Sequence, residues 1–226
     1  MTSSDVGKHA AALAAVRYVT PDMVLGVGTG TTTAHFLDAL EEAPVRPLSA
    51  VATSRATEMR LRLLRIPVIP LGEAEQPLPL YIDGADEIDR YGRAIKGAGG
   101  AHWREKLVAQ AALMWVCIVD ESKLVTQLGV RAPVPIEVER SNLEDVQAGV
   151  RGLGGRPVLR TGVVTDAGNR IIDAYDLDLA DPAEVESDLD AIPGVLACGI
   201  FAHRRANVIL VGKADGSTYT MEPERP

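Results

Sequence analysis

Short apolar segments alternate with longer helix-like segments through the first part of the chain, and this alternation constrains the fold most. MVLGVG (23–28) is apolar throughout and WVCIVD (115–120) is apolar up to its last residue, as strands buried on both faces are. The stretches between such runs have the length and composition of helices. Strands that alternate with helices of this length predict a Rossmann-like α/β domain, a parallel sheet covered by helices on both faces.

The pattern changes near residue 132, where prolines interrupt the chain. From there the predicted order is strand, helix, strand, strand, helix, strand, which is typical of a small ferredoxin-like α+β unit. The last apolar run, NVILVG (207–212), exceeds what that unit requires. We therefore predict an α/β catalytic domain formed by residues 1–131 with about 205–226, and an inserted smaller domain of about 132–204 that is available for oligomer contacts.

Charge and hydropathy exclude several classes of function. The formal net charge is −8 over 226 residues, whereas nucleic-acid binders rely on clustered Lys and Arg. No apolar run approaches the roughly 18 residues of a membrane span, and residues 1–15 lack the features of a signal peptide. We expect a cytoplasmic protein with no nucleic-acid or membrane partner. A small anionic substrate remains compatible with this composition, because it needs only local positive charge.

Metal and nucleophile signatures are weak. Cys117 and Cys198 lie in apolar, strand-like runs at a separation that fits no metal-ligand spacing, so we expect buried thiols. The histidines form no zinc-binding spacing, and there is no GxSxG nucleophile elbow. These features argue against a zinc enzyme and against a Ser-His-Asp hydrolase.

The first motif, GVGTGTTTAHF (26–36), places glycines and hydroxyl groups between a predicted strand and a predicted helix. Glycine lets a ligand approach the backbone, and N–H groups at a helix N-terminus attract anions. Thr31 stands where the dinucleotide fingerprint needs its third glycine, and no Gly-Lys-Ser/Thr follows as in a P-loop. A phosphate or sugar site and a tight turn with threonine N-caps are both compatible with these residues.

The second motif, YIDGADEID (81–89), follows an apolar strand and holds three acids within five residues, Asp83, Asp86 and Glu87. Open α/β sheets bind ligands at the carboxyl ends of their strands, and Gly84 permits a tight turn that brings Asp83 and Asp86 together. Three interpretations stay open: a Mg²⁺ site, a site that orients sugar hydroxyls, and a solvated turn.

The third motif, KGAGGAHWREK (96–106), puts a lysine at a strand end, then glycines, then a helix. Lys96 is suited to stabilise an oxyanion, and Glu105, about one turn into the helix, is suited to act as a general base. The alternative makes Glu105 a surface residue paired with a lysine on a neighbouring turn. Lys123, which follows an apolar strand, and Lys8, in the first helix, are further candidate cations.

Together and in this order, the segments resemble the type A ribose-5-phosphate isomerase family. The resemblance covers nearly the whole chain, and DGADE (83–87) followed by KGAGGAHWREK (96–106) is its most specific part. It also includes ATSRAT, IVDESK, PVPIEV, LGGRPVLRTGVVTDAGN and IPGVLACGIFAHR. Membership would imply an α/β domain with a smaller α+β domain, no metal or organic cofactor, and a homodimer or homotetramer.

The resemblance implies roles for individual residues. Glu105 matches the base that abstracts the proton, and Lys8 falls near a lysine associated with the phosphate. The residues implied in substrate binding are Thr29, Gly30, Thr31, Thr32, Asp83, Gly84, Ala85, Asp86, Lys96, Gly97, Ala98, Gly99 and Lys123. Among the departures from the family pattern, Ala98 replaces a frequent glycine. His102 and Trp103 replace smaller residues, and we expect these two to affect substrate access.

The implied activity is the interconversion of D-ribose 5-phosphate and D-ribulose 5-phosphate through an enediol(ate), in the non-oxidative pentose phosphate pathway. Under this hypothesis Glu105 carries the proton, Lys96 stabilises charge on the carbonyl oxygen, and Asp83 or Asp86 handles hydroxyl protons. The alternatives are a non-catalytic sugar-phosphate sensor and a sugar-phosphate deaminase or acyl-CoA transferase on a similar scaffold.

Overall fold

The computed structural model describes residues 2–225, which form six α-helices and thirteen strands. The helices are α1 (Ser3–Val16), α2 (Thr31–Glu42), α3 (Arg55–Leu63), α4 (His102–Ala111), α5 (Leu143–Gly152) and α6 (Pro182–Asp190). The strands are β1 (Val24–Val27), β2 (Ser49–Ala52), β3 (Leu78–Asp83), β4 (Glu87–Ile88), β5 (Ala94–Ile95), β6 (Ala112–Asp120), β7 (Val134–Val138), β8 (Arg156–Leu159), β9 (Arg170–Tyr175), β10 (Val195–Cys198), β11 (Ile200–Phe201), β12 (Val208–Gly212) and β13 (Thr218–Met221).

The largest sheet has six strands in the order β13-β12-β6-β3-β1-β2. All neighbours pair in parallel except β13, which is antiparallel to β12. One face carries a core cluster that includes Phe36 of α2 and Val116, and the other carries a cluster with Tyr81, Trp115 and Val108 of α4. Because helices cover both faces, the central strands are apolar except at their carboxyl ends, where β3 and β6 end in Asp83 and Asp120. The predicted Rossmann-like α/β fold is confirmed.

The second sheet has four antiparallel strands in the order β10-β7-β9-β8. With α5 after β7 and α6 after β9, this order is that of a ferredoxin-like unit. Ile136, Val146, Ile172 and Leu189 are fully buried in its core. The chain then returns to the large sheet, where β12 lies between β6 and β13. The domain limits given above stay a prediction.

A third sheet of three short strands, in the order β11-β5-β4, connects the two larger ones. The chain leaves the four-stranded sheet at Gly199, where a Cβ atom would lie 2.3 Å from the carbonyl oxygen of Lys96. The N–H group of Lys96 donates to the carbonyl oxygen of Gly199 at 2.9 Å. Only glycine allows this close approach of two backbones, and it fixes where Lys96 enters the loop that follows β5.

A buried ion cluster joins α4 to α6. Lys106 Nζ lies 2.9 Å from Glu186 Oε1 and 3.1 Å from Asp190 Oδ2. Glu186 Oε2 also accepts backbone N–H groups from Ala202 at 2.7 Å and His203 at 2.9 Å. The cluster therefore fixes α4, the helix that carries Glu105, against α6, one of the two helices that accompany the four-stranded sheet.

We expect Lys106→Met to reduce the free energy of unfolding by about 3 kcal/mol or more, because it leaves the Glu186 carboxylate buried without its cation. Denaturant unfolding followed by circular dichroism measures this. Arg156→Met is the matched control, since the Arg156–Asp176 pair at 2.9 Å is 60% and 65% exposed and should contribute less than about 1 kcal/mol. Equal losses in the two variants would contradict the prediction.

Within residues 2–225, no helix combines the length and the apolar character needed to cross a membrane.

Candidate functional site

A cleft of about 240 Å³ lies at the carboxyl ends of the parallel strands, where the loops after β1, β3, β5 and β6 meet. Strands that run in the same direction end at the same edge of the sheet, so residues distant in sequence are neighbours there. The cleft is lined by Lys8, Thr29, Gly30, Thr31, Thr32, Gly84, Ala85, Asp86, Lys96, Gly97, Ala98, Gly99, Glu105 and Lys123. Of the residues to which the family resemblance assigns binding or catalysis, Asp83 alone does not line the cleft; it is fully buried.

The turn between β1 and α2 exposes the N-terminus of the helix to the cleft. Gly30 occupies the N-cap position with φ +119°, and no side chain caps the first turn. The unsatisfied N–H groups at such a terminus favour an anion. The alternative of a threonine-capped turn is therefore wrong. Gly28 has a separate requirement, because a Cβ atom there would lie 1.8 Å from Asp83 Cγ.

Asp83 is fully buried at the end of β3. Its carboxylate accepts five hydrogen bonds, from Thr29 N, Thr33 Oγ1, Gly84 N, Tyr81 Oη and Lys96 Nζ. Burial, then the charge of Asp83, raises the pKa of Tyr81 well above its ordinary value, so the phenol stays a donor. Asp83 therefore holds Lys96 and the turn between β1 and α2 in place. For this residue the alternative of a solvated turn is wrong.

The three acids of the second motif do not converge. Asp86 accepts the N–H group of Ala98 at 2.9 Å. Glu87 is buried and accepts three backbone N–H groups, from Gly129, Arg131 and Ala132. Within residues 2–225 there is no group of three or more His, Cys, Asp or Glu side chains arranged to hold a metal ion. The geometry gives no support to the Mg²⁺ alternative.

Lys96 and Glu105 form the centre of the site. Lys96 is 3% exposed, and its Nζ lies 2.7 Å from Asp83 Oδ2, 3.2 Å from Glu105 Oε2 and 2.6 Å from the carbonyl oxygen of Gly84. Burial opposes the charge of Lys96, but Asp83 and Glu105 outweigh it and raise its pKa. The ammonium therefore stays charged at neutral pH.

Glu105 is 4% exposed, so its interpretation as a surface helix residue is wrong. Burial raises the pKa of Glu105 above its ordinary value; the charge of Lys96 opposes this rise and that of Asp83 adds to it. Within residues 2–225, Glu105 Oε2 has no hydrogen-bond partner, since the contact with Lys96 lacks the required geometry. Glu105 lines the cleft, so its carboxylate can accept a proton from a ligand bound there.

His102 and Trp103 do not line the cleft, and their effect on substrate access stays a prediction. His102 is fully buried, and a Cβ atom on Gly97 would lie 2.7 Å from its Nδ1. Burial, together with the charge of Lys106, lowers the pKa of His102 to about 3, so its ring is neutral. Trp103 borders a small separate cavity beside Thr165.

The expected buried thiols are confirmed. Cys117 and Cys198 are both free and buried, and burial raises the pKa of each thiol to about 12. Two side-chain hydroxyls donate to Asp83: Thr33, one of the hydroxyls of the first motif, and Tyr81, which the sequence did not indicate as a site residue. For Tyr81 a signal existed, because residues two apart on a strand point to the same face.

The cleft is not identified as the candidate functional site by its volume, because a larger groove exists. A groove of about 400 Å³ is lined by apolar residues such as Leu71 and Leu107. Its charged residues include Glu58 and Arg62, which pair with each other at 2.8 Å. The smaller cleft instead combines a buried carboxylate, a buried ammonium and an uncapped helix N-terminus. This fold and site define an α/β enzyme equipped to transfer a proton on a small anionic substrate.

Known proteins resemble the chain over nearly its full length. The sequence model of the family described as ribose 5-phosphate isomerase A (phosphoriboisomerase A) matches residues 49–216. A ribose-5-phosphate isomerase A of Acidithiobacillus ferrooxidans is 49% identical over 214 residues, covering 95% of this chain and 97% of that protein. The chain therefore belongs to the ribose 5-phosphate isomerase A family, which consists of isomerases.

Solved structures agree with this assignment. The crystal structure of ribose 5 phosphate isomerase A from Neisseria gonorrhoeae has a TM-score of 0.95 at 39% identity, with all of both chains covered. A D-ribose-5-phosphate isomerase solved in complex with phospho-erythronic acid has a TM-score of 0.89 at 34% identity, covering 95% of this chain and 97% of that one.

Proposed function

We propose that the chain interconverts D-ribose 5-phosphate and D-ribulose 5-phosphate in the pentose phosphate pathway, with Glu105 as the base. The observation that carries the catalytic assignment is the buried Glu105 carboxylate, with one oxygen free of hydrogen bonds, beside the Lys96 ammonium in the cleft. Burying charged groups such as Glu105 and Lys96 costs free energy of desolvation, and a non-catalytic sensor would not need them to be buried.

In the forward direction Glu105 takes the proton from C2 of the open-chain aldose, and charge develops on the carbonyl oxygen at C1. Lys96 stabilises that charge. Its ammonium lines the same cleft as Glu105 and lies 3.2 Å from Glu105 Oε2, so it is close to the carbons from which Glu105 takes the proton. Glu105 then returns the proton to C1 on the same face of the enediolate. The hydroxyl proton moves from O2 to O1, and Asp86, which lines the cleft, is placed to assist. Asp83 acts through Lys96, which it holds at 2.7 Å.

The substrate phosphate would bind at the N-terminus of α2. The first N–H groups of this helix are uncapped, and Lys8 and Lys123 line the same cleft. Helix N-termini and ammonium groups both favour phosphate. Binding energy from the phosphate would serve to orient the reacting carbons near Glu105.

The test is conversion of ribose 5-phosphate by purified, chelator-treated protein, followed by NMR in D₂O. We expect ribulose 5-phosphate with deuterium at the exchanging carbon, and no dependence on added Mg²⁺. In separate assays, release of ammonia from an added amino-sugar phosphate would support the deaminase alternative, and exchange of CoA from an added acyl-CoA to an acid would support the transferase alternative. A sugar that binds but stays unchanged and unlabelled would support a sensor.

The pH dependence follows from the raised pKa of Glu105. The base must be ionised, so kcat/KM should fall as the pH falls through that pKa. We expect the midpoint in the free protein to lie above the ordinary glutamate value of about 4.3, because burial raises the pKa of Glu105. Because the substrate phosphate titrates near 6, the carboxyl should be titrated directly by ¹³C NMR without substrate. Glu105→Gln identifies its signal, and an ordinary pKa for that signal would contradict the prediction.

Phospho-erythronic acid should bind the same cleft as a competitive inhibitor, because its carboxylate can replace the charged enediolate beside Lys96.

The predicted homodimer or homotetramer, the cytoplasmic location and the two-domain limits are further proposals. Sedimentation equilibrium of the purified chain tests the first of these.

A further inference from the structure

The loop of residues 96–100 forms one wall of the cleft but has few interactions of its own. Three of its five residues are glycine, and Gly97 and Gly100 have φ values of +113° and +74°. Within the loop, Gly100 N donates to the carbonyl oxygen of Gly97 at 3.0 Å. Ala98 and Gly99 are exposed. A segment this rich in glycine loses much conformational entropy when it is ordered, so external contacts must hold its shape.

Arg160, in the segment after β8, supplies such contacts from the four-stranded sheet. Its Nη1 donates to the carbonyl oxygens of Gly97 and Ala98, each at 3.1 Å. Its Nε donates to Asp173 Oδ2 at 2.9 Å, and its Nη2 donates to Asp173 Oδ1. The side chains of Arg160 and Asp173 are only 18% and 13% exposed. Asp173 in β9 therefore holds the guanidinium, and the guanidinium holds the loop.

These contacts set the direction of two N–H groups. A trans peptide unit is planar, with its C=O and N–H bonds pointing in opposite directions. Fixing the carbonyl of Gly97 therefore orients the N–H group of Ala98, which donates to Asp86 at 2.9 Å. Fixing the carbonyl of Ala98 likewise orients the N–H group of Gly99, a residue that lines the cleft.

We propose that Arg160 is a positioning residue for substrate binding: with Asp173 it holds the 96–100 loop so that the N–H group of Gly99 and the Ala98–Asp86 contact face the sugar phosphate. Arg160 lines an adjoining cavity and not the substrate cleft, so it acts through the loop. The inference rests on the proposed function for the identity of the ligand.

A lysine cannot replace Arg160 in this role. The guanidinium donates in a fixed planar fork, which allows two bonds to Asp173 and two to the loop at the same time. An ammonium at the same position retains the charge opposite Asp173 but cannot span both sets of acceptors. Arg160→Lys therefore removes the loop contacts while it preserves the ion pair.

The test compares Arg160→Lys with Arg156→Lys. Arg156, the first residue of β8, also pairs at 2.9 Å with an aspartate, Asp176, which directly follows β9, but this pair is in solvent. We expect Arg160→Lys to raise the KM for ribose 5-phosphate and the Kd for phospho-erythronic acid about tenfold, the effect of losing hydrogen bonds to a charged group. The kcat should change less than KM, and the melting temperature should stay within a few degrees. Arg156→Lys should leave all four quantities unchanged.

A ¹H–¹⁵N spectrum of the free proteins provides a readout that needs no substrate. The amide signals of Ala98 and Gly99 should shift in Arg160→Lys and not in Arg156→Lys. If Arg160→Lys keeps both the wild-type spectrum and the wild-type KM, the inference is wrong. The inference is equally wrong if Arg160→Lys lowers the melting temperature so far that partial unfolding accounts for the whole rise in KM. If the loop signals shift but the wild-type protein converts no ribose 5-phosphate, the proposed function fails and the positioning of the loop stands.

Discussion

Glu105→Gln is expected to lower kcat by a factor of about 10²–10⁴, the typical contribution of a general base, and to leave the Kd of ribose 5-phosphate within a few-fold. Glutamine has the shape of glutamate but cannot accept the proton from carbon. Glu105 is buried and lines the cleft. Steady-state kinetics and calorimetric titration measure the two quantities.

Glu186→Gln is the matched control for this substitution. Glu186 is also a buried carboxylate beside a lysine of α4, at 2.9 Å from Lys106, but it lies outside the cleft. We expect it to lower the stability and to leave kcat near the wild-type value at temperatures where the variant is folded. In D₂O, Glu105→Gln should also lose deuterium incorporation into the product. Near-normal turnover by Glu105→Gln would remove Glu105 from the role of base.

Lys96→Met has the second large expected effect, a fall in kcat of at least about 10²–10³, the usual cost of removing one group that stabilises an oxyanion. The substitution also leaves Asp83 and Glu105 buried with no cation between them, because Lys96 lies 2.7 Å and 3.2 Å from their oxygens. We therefore expect the free energy of unfolding to fall by about 3 kcal/mol or more. Both quantities should be measured on the same preparation.

The stability of Lys96→Met should depend on pH in a defined direction. Without the cation, the pKa of Glu105 in the folded protein rises further above its unfolded value, so the folded state binds the proton more tightly. Stability is then highest below the unfolded pKa and is lost as the pH rises through the folded pKa. The pKa of Glu105 in the wild type is itself raised to about 8, so the deficit relative to wild type should grow as the pH rises above that value. A deficit that is independent of pH would contradict this account.

The double variant Asp83→Asn/Lys96→Met separates charge balance from catalysis. It removes one carboxylate together with the cation, so part of the lost stability should return. Activity should stay low, because no ammonium is then present beside Glu105. A double variant with restored turnover would show that Lys96 matters only as a counter-ion.

Much of the fold could be predicted because its signals are local. Continuous apolar strands and intervening helices indicated the parallel sheet, and the order of elements after residue 132 indicated the ferredoxin-like sheet. The three-stranded sheet of β4, β5 and β11 could not be found this way. Its strands have two residues each, which is too short for any periodic pattern.

The sequence predicted which residues form the candidate site but not how deeply they are buried or what they contact. The ends of parallel strands meet at one edge, so the sequence indicated that Thr29, Asp86, Lys96 and Glu105 would be neighbours. Local sequence taken alone favoured a surface position for Glu105, because an acid in the first turn of a helix is ordinary on a solvated face. Burial depends on packing from other elements, and the pKa of Glu105 depends on burial.

The sequence by itself determined the class of fold, the edge of the sheet where ligands bind, and the residues available there, because strand periodicity, helix length and glycine-rich turns are properties of neighbouring residues. Tertiary structure alone decided that Asp83 lies beneath the cleft, that His102 is buried away from it, and that Arg160 reaches the 96–100 loop from the second sheet. These features depend on contacts between residues as far apart as Ala98 and Arg160. No local pattern records such contacts, since each requires the assembled sheets to bring its two partners within hydrogen-bond distance.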